Sequence, residues 1–121
     1  YTEIAYEHDV QALYRIFDIF VHTPIDRYCE PGGHVYIEAM LSGIPCVFTL
    51  SGVALSFAKN KKHCMVVDYQ NTAQIYRAVS HLIENPDLAA TIADNGRMYA
   101  RGNFSAESKV GALLEYYESL A

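Results

Sequence analysis

The sequence predicts an α/β fold, with a Rossmann-like, doubly wound parallel sheet followed by extra C-terminal helices. Short apolar runs alternate with segments of helical periodicity, which is the pattern of strands joined by crossover helices. Within each run the apolar residues are consecutive, as in parallel strands that are covered on both faces. The chain has 121 residues, of which 51% are hydrophobic. We therefore expect a single domain over residues 1–121.

Three apolar runs predict the strands of this sheet. The first follows Asp18 and stops at Thr23, the second follows Pro45, and the third follows a cluster of lysines. The predicted strands cover residues 19–21, 46–50 and 64–67, and residues 2–6 form a weaker candidate.

Apolar residues spaced by three and four positions predict the helices. Asp9, Asn71 and Ser105 stand where N-caps are expected, and Gly43 stands at an expected C-terminal stop. Tyr116 and Tyr117 are expected to pack the last helix against the layer. The predicted helices cover residues 10–17, 35–41, 53–60, 75–83, 86–102 and 105–120.

The charge balance and the cysteines limit the classes of function. Lys and Arg number 9 against 14 Asp and Glu, and the net charge of −5 argues against nucleic acid or an anionic membrane as the main partner. No apolar run has the ~18 residues of a membrane helix, and no signal peptide is evident. Cys29, Cys46 and Cys64 form no C-x-x-C pair, which favours a reducing, cytoplasmic compartment.

The loop after the first predicted strand is the first candidate binding element, because ligands of such sheets bind beyond the carboxyl ends of the strands. Residues 23–33 form a long loop that ends in Gly32-Gly33, where a helix begins. Bare backbone amides and the helix N-terminus favour an anion or hydroxyl groups. Glu30 lies in this loop, and Glu38 lies on the helix, where we expect it to be partly buried and to bind sugar hydroxyls.

The loop after the second strand is the other candidate. Ser51 and Gly52 could present a hydroxyl and an amide to a phosphate. Spacing alone leaves alternatives open: Glu30 as a solvated loop acid, Glu38 as a polar position on an amphipathic helix, and Ser51-Gly52 as an ordinary turn. The five histidines have no H-x-x-x-H spacing, so no metal site is expected. Lysines 59, 61 and 62, together with His63, indicate a solvated helix end.

Residues 18–52 resemble the donor-binding half of the GT-B retaining glycosyltransferases. The family's E-x7-E signature is an E-P-F-G motif followed by an apolar run and E-A-M-A-x-G-x-P-V-V. Residues 30–33 are EPGG and residues 38–47 are EAMLSGIPCV. Similar junctions occur at residues 85–88 and 105–107, so the similarity covers nearly the whole chain.

The resemblance implies a role for each candidate residue. Glu30 would be the catalytic residue, approaching the donor sugar and stabilising positive charge at the anomeric carbon, and Glu38 would bind the ribose. No cofactor and no metal are implied, because basic side chains and amides stabilise the leaving group in this family. The other implied donor-binding residues contact sugar hydroxyls or phosphate: Gly32, Gly33, His34, Ser51 and Gly52.

The resemblance also implies a function for the chain as a whole. The chain would be the C-terminal, donor-binding domain of a retaining glycosyltransferase that uses a UDP- or GDP-sugar in the cytoplasm. It would be truncated, and a missing N-terminal lobe would bind a glycan, lipid or other acceptor and contact the membrane peripherally. Gly32 replaces the usual Phe, and Leu55 replaces an acid of the second loop. The alternative is a non-catalytic α/β binding module or a response-regulator-like module.

Overall fold

The computed structural model describes residues 1–120 and has a parallel sheet with helices on both faces. The strands are ordered β1-β2-β3. This architecture confirms the predicted α/β class. The elements in chain order are α1 (Val10–Tyr14), β1 (Phe20–His22), α2 (His34–Leu41), β2 (Cys46–Phe48), α3 (Ala54–Phe57), β3 (Met65–Val66), α4 (Thr72–Glu84), α5 (Pro86–Phe104) and α6 (Ala106–Ser119).

The central strand β2 is buried on both faces, as the consecutive apolar residues predict. Cys46 and Phe48 belong to a core cluster with Tyr36 and Met40 of α2. Val47, which points to the opposite face, packs in a second cluster with residues of α4 and α5. Because each face of the sheet has its own helical layer, the doubly wound arrangement is confirmed.

The edge strand β1 departs from the prediction. Val21 is 41% exposed, so the expected coverage of this strand on both faces is wrong. The strand is also shifted by one residue, since it ends at His22. The candidate strand at residues 2–6 is wrong, because this segment is exposed and pairs with no strand among residues 1–120.

Four predicted helix signals are confirmed. The side chain of Asp9 caps α1 by accepting a hydrogen bond from the Ala12 amide at 3.0 Å. The side chain of Asn71 accepts a hydrogen bond from the Gln74 amide at 3.0 Å, which caps α4. Ser105 caps α6 by accepting from the Ser108 amide at 3.1 Å. Gly43 follows α2 with φ +71°, a conformation in which a side chain is strained.

Other helix boundaries differ from the prediction. After Tyr14 the amides bond three residues back, as from Ile16 to Leu13, so α1 ends before residue 17. The helix α3 stops at Phe57 because Ala58 is extended, and α5 continues through Gly102 to Phe104.

The cluster of Lys59, Lys61, Lys62 and His63 also differs from the prediction of a solvated helix end. His63 is only 4% exposed, and its ring stacks on Tyr99 with centroids 4.4 Å apart. Its Nδ1 atom lies 3.3 Å from the Phe57 carbonyl oxygen. His63 is therefore a core residue, and only the lysines are solvated.

The helix α5 approaches the core closely because small residues line its inner face. A Cβ atom at Gly96 would lie 2.9 Å from the His63 carbonyl oxygen and 3.5 Å from Cγ of Met40. The helix α6 packs on α5 but has no buried residue. Tyr116 and Tyr117 are 59% and 60% exposed, so the expectation that they pack this helix against the layer is wrong. No helix within residues 1–120 is long and apolar enough to cross a membrane.

Two valines that are register partners test the two environments of the sheet. Val47 is 0% exposed, and Val21, beside it on β1, is 41% exposed. We expect Val47→Ala to lower the free energy of unfolding by about 2 kcal/mol. Val21→Ala should cost less than about 1 kcal/mol. Urea unfolding measures both, and equal costs would contradict the assignment of β1 to an open edge.

Candidate functional site

The carboxyl ends of the three strands lead into loops that bond to one another. The Thr49 amide donates to the His22 carbonyl oxygen at 3.2 Å, and the Thr49 hydroxyl donates to the Pro24 carbonyl oxygen at 2.7 Å. The hydroxyl of Tyr69, after β3, donates to the carbonyl oxygen of Leu50. These bonds join the exits of all three strands into one surface, where a sheet of this type binds ligands.

Gly52 lies directly against the backbone of Glu30. A Cβ atom at Gly52 would lie 1.8 Å from the Glu30 carbonyl oxygen, and its φ of +52° also favours glycine. The Gly52 amide donates to the Arg27 carbonyl oxygen at 2.9 Å. The Glu30 amide donates to the Ser51 hydroxyl oxygen at 3.0 Å. The loop that contains Glu30 is therefore fixed by the loop after β2.

Tyr36 connects this arrangement to the core. Its side chain is fully buried, and its hydroxyl donates to the Thr49 carbonyl oxygen at 2.8 Å while accepting from the Ser51 amide at 3.2 Å. Burial raises the pKa of Tyr36 to about 12. The phenol therefore stays protonated at neutral pH and keeps both hydrogen bonds.

Ser51 is placed behind the surface of the site. The residue is 0% exposed, its hydroxyl oxygen accepts from Glu30, and its amide donates to Tyr36. A direct contact of this hydroxyl with a phosphate stays a prediction. In the structure Ser51 holds the backbone of Glu30 in place through the hydrogen bond from the Glu30 amide to its hydroxyl oxygen.

The start of α2 presents free backbone amides at the same surface. Gly33 is the N-cap with φ +59°, and no side chain of the described residues caps this helix. A Cβ atom at Gly33 would lie 2.3 Å from Cγ1 of Val53, so the second loop also packs here. Gly32 and His34 are exposed. The amides at this terminus are available to an anion or to hydroxyl groups.

His22 lies beside the Glu30 carboxylate. Its Nε2 atom is 3.5 Å from Oε2 of Glu30 and makes no hydrogen bond to any residue of the range 1–120. The two side chains are 25% and 31% exposed. Burial lowers the pKa of His22, and the Glu30 carboxylate opposes that shift. At neutral pH the imidazole is therefore neutral, and the Glu30 side chain beside it stays partly exposed at the surface.

Glu38 lies on α2, outside the loop that contains Glu30. The inner face of this helix buries Tyr36, Ala39 and Met40, so the helical period places Glu38 on the outer face. It is exposed, and the expectation of partial burial is therefore wrong. Its Oε2 atom accepts a hydrogen bond from the Tyr14 hydroxyl at 3.4 Å. No contact joins it to Glu30 among the hydrogen bonds and ion pairs of the described residues.

Three residues of this region have roles that the sequence does not predict. In the sequence His22 is one of five histidines without metal-ligand spacing, and Tyr14 and Tyr36 are aromatic residues within predicted helices. The one sequence signal for such a role is a tyrosine on the buried face of a predicted helix, because a buried hydroxyl group needs a hydrogen-bond partner. Residues 1–120 contain no group of three or more His, Cys, Asp or Glu that is arranged for a metal ion. A metal-free reaction stays a prediction.

Comparison with known proteins gives a family match over most of the chain. The model described as "Glycosyl transferases group 1" matches residues 2–99. A D-inositol 3-phosphate glycosyltransferase of Salinispora arenicola (strain CNS-205) is 33% identical over 109 residues, which are 90% of this chain and 23% of the relative.

Solved structures give the same result. The structure of Anabaena Alr3699/HepE in complex with UDP matches with a TM-score of 0.85 and 26% identity, over 93% of this chain and 30% of that one. Its complex with UDP-glucose matches with a TM-score of 0.83 and 25% identity, over 94% of this chain and 31% of that one. The chain thus spans about a quarter to a third of these relatives. The matches favour the glycosyltransferase interpretation over a response-regulator-like module.

We predict that Gly52→Ala disrupts the site. The new methyl group would overlap the Glu30 carbonyl oxygen, so the two loops must separate. We expect a loss of at least about 2 kcal/mol in the free energy of unfolding. Gly102→Ala is the control, since nothing lies within 4 Å of its Cβ position and it lies in a helix. That variant should be neutral or more stable by up to about 1 kcal/mol. Similar melting temperatures for the two variants would refute the contact.

A second prediction concerns the free energy of unfolding at acidic pH. Burial lowers the pKa of both His22 and His63. Glu30 opposes the shift at His22, and the Phe57 carbonyl opposes it at His63, where the charges of Lys62 and Lys59 add to it. The unfolded chain therefore takes up protons near pH 6.5, before the folded chain does. We expect the free energy of unfolding to change little between about pH 7 and 8 and to fall as the pH is lowered from about 6.5.

Urea unfolding at pH 7.5 and 5.5 measures this effect. His22→Gln should reduce the difference between the two pH values, and His8→Gln, at an exposed position, should not. Stability that rises on acidification would show that these imidazoles are not buried in their neutral form.

Proposed function

This chain belongs to the glycosyl transferases group 1 family, and from that membership we propose that it is the donor-binding part of a glycosyltransferase. The reaction is transfer of a sugar from a nucleoside diphosphate sugar to an acceptor, with retention of the anomeric configuration. Its relatives are three to four times longer, so the acceptor would be bound by parts of the protein beyond residues 1–121.

One observation supports this function most strongly. Glu30 lies at the carboxyl edge of the sheet with a partly exposed carboxylate, and the loop that holds it leads into the uncapped N-terminus of α2. A carboxylate accepts hydrogen bonds from sugar hydroxyls, and free amides at a helix N-terminus donate to phosphate or hydroxyl oxygens. A sugar phosphate needs both kinds of partner.

We assign Glu30 to the donor sugar. Its backbone is fixed by Ser51 and Gly52, so the loop that carries its carboxylate is held before a ligand arrives. This placement suits stabilisation of the positive charge that develops at the anomeric carbon. The exposed residues Gly32 and His34, with the buried Gly33 between them, offer the amides for hydroxyl or phosphate groups.

We assign Glu38 to the ribose of the nucleotide. Its exposure on the outer face of α2 leaves the carboxylate accessible, with one oxygen bonded to Tyr14. A pair of vicinal hydroxyls suits a carboxylate acceptor. The complexes of the Anabaena protein contain UDP and UDP-glucose, which makes a uridine nucleotide the first choice, and GDP-sugars the second.

Further parts of the proposal concern the surroundings of the reaction. We propose that no metal takes part, with amides and basic side chains stabilising the diphosphate leaving group. The cysteines Cys29, Cys46 and Cys64 are free, which supports a reducing, cytoplasmic location. The acceptor would be a glycan, lipid or other hydroxyl compound, and membrane contact would involve the rest of the protein.

The two carboxylates give a test that separates sugar from nucleotide. We expect Glu30→Gln to weaken binding of UDP-glucose by about 10-fold and to leave UDP binding unchanged. Glu38→Gln should weaken both ligands by about 10-fold, because both contain the ribose. NMR titration of the 121-residue chain with UDP, UDP-glucose, GDP and GDP-mannose measures these affinities.

Glu118→Gln is the matched control, since this glutamate is exposed on α6, far along the chain from the site. It should bind every ligand as the unaltered chain does. Absence of saturable binding of any uridine or guanosine nucleotide would refute the proposed function. We also expect no measurable sugar transfer by this chain alone, and robust transfer would contradict the need for a further lobe.

A further inference from the structure

The Glu38 carboxylate is held by a side chain from a distant part of the sequence. The Tyr14 hydroxyl donates to Oε2 of Glu38 at 3.4 Å, across 24 positions in the chain. Tyr14 is the one buried residue of α1, with 4% exposure, whereas Glu38 is exposed. The contact therefore joins a fixed donor to an acceptor at the surface.

The ring of Tyr14 is fixed by other aromatic side chains. It packs edge-on against Phe20 of β1, with centroids 5.4 Å apart, and against Phe17 at 6.3 Å. Burial, and in second place the Glu38 charge, raises the pKa of Tyr14 to about 12. The phenol is therefore protonated at neutral pH and acts as the donor.

A cleft lies around this contact. It has a volume of about 300 Å³ and is formed by α1 and the second half of α2. Apart from Leu41, every lining residue carries a polar side-chain group that can form hydrogen bonds with a ligand rich in hydroxyl groups. The lining residues are Gln11, Tyr14, Arg15, Glu38, Leu41 and Ser42.

We propose that Tyr14 is a positioning residue for Glu38, holding its carboxylate in this cleft so that it receives the ribose hydroxyls of the donor nucleotide. This inference rests on the proposed function. An exposed glutamate samples several rotamers, and ordering it upon binding costs conformational entropy. A hydrogen bond that orders the side chain beforehand removes part of that cost and so raises affinity.

Tyr14 also contributes to the core, so the test has to separate packing from positioning. Tyr14→Phe keeps the ring and removes only the hydroxyl. We expect it to weaken UDP binding by about 3- to 10-fold. In a Glu38→Ala background the same change should have no further effect, because the acceptor side chain is gone. Tyr76→Phe, at a position that is 73% exposed on α4, is the control and should bind as the unaltered chain does.

A ligand without ribose hydroxyls gives the second comparison. With 2′,3′-dideoxy-UDP the affinities of the unaltered chain and of Tyr14→Phe should be equal. A third readout needs no ligand: Glu38→Gln should lower the pKa of Tyr14, followed by NMR of its ring carbons, because the negative charge beside the hydroxyl is removed.

The outcomes of these experiments distinguish failure of the positioning role of Tyr14 from failure of the proposed function. If UDP binds but Tyr14→Phe has no effect, or has the same effect with and without the Glu38 carboxylate, the positioning role is refuted and the donor-binding function stands. If the unaltered chain binds no nucleotide, the proposed function fails and the inference fails with it. A change of Tyr14 pKa would then report the contact alone.

Discussion

The approach of Gly52 to the carbonyl oxygen of Glu30 is the contact on which the candidate site depends. With a side chain at position 52, the loop after β2 could not lie against the loop after β1. Backbone amides next to this contact are also hydrogen-bonded. The Glu30 amide donates to the Ser51 hydroxyl oxygen, and the Gly52 amide donates to the Arg27 carbonyl oxygen. The carboxylate of Glu30 is therefore left for a ligand, while its main chain is held by close packing and hydrogen bonds.

Tyr36 extends this constraint into the core. Its ring lies edge-on to His22 and Phe48, with centroids 4.9 Å and 4.7 Å away, and its hydroxyl bonds both Thr49 and Ser51. A buried hydroxyl with a donor and an acceptor partner costs little, whereas removal of either partner leaves a buried polar group unpaired. The loop geometry is thus fixed by the same residue that fills the space between α2 and the sheet.

The sequence predicted best what depends on neighbouring residues. The buried strand β2 follows from consecutive apolar residues, and the caps Asn71 and Ser105 follow from local hydrogen-bonding groups. Residues 2–6 have the composition of a strand, but a strand needs a partner that composition does not specify. The roles of Tyr36 could not be predicted, because they depend on contacts with residues 13 and 15 positions away.

The two glutamates of the motif show the same division between local and distant information. The pair Gly32-Gly33 between them predicts that one lies before the helix and one on it, and the structure places them so. The sequence motif does not predict how each glutamate side chain is held. Glu30 is fixed through its backbone in a loop, whereas Glu38 lies on the exposed face of α2 and depends on Tyr14 for its only side-chain hydrogen bond in the described part of the chain. In the proposed function, Glu30 would meet the sugar from a loop with a fixed backbone, and Glu38 would meet the ribose with its carboxylate oriented from α1. The two carboxylates are therefore placed by different means before a ligand binds.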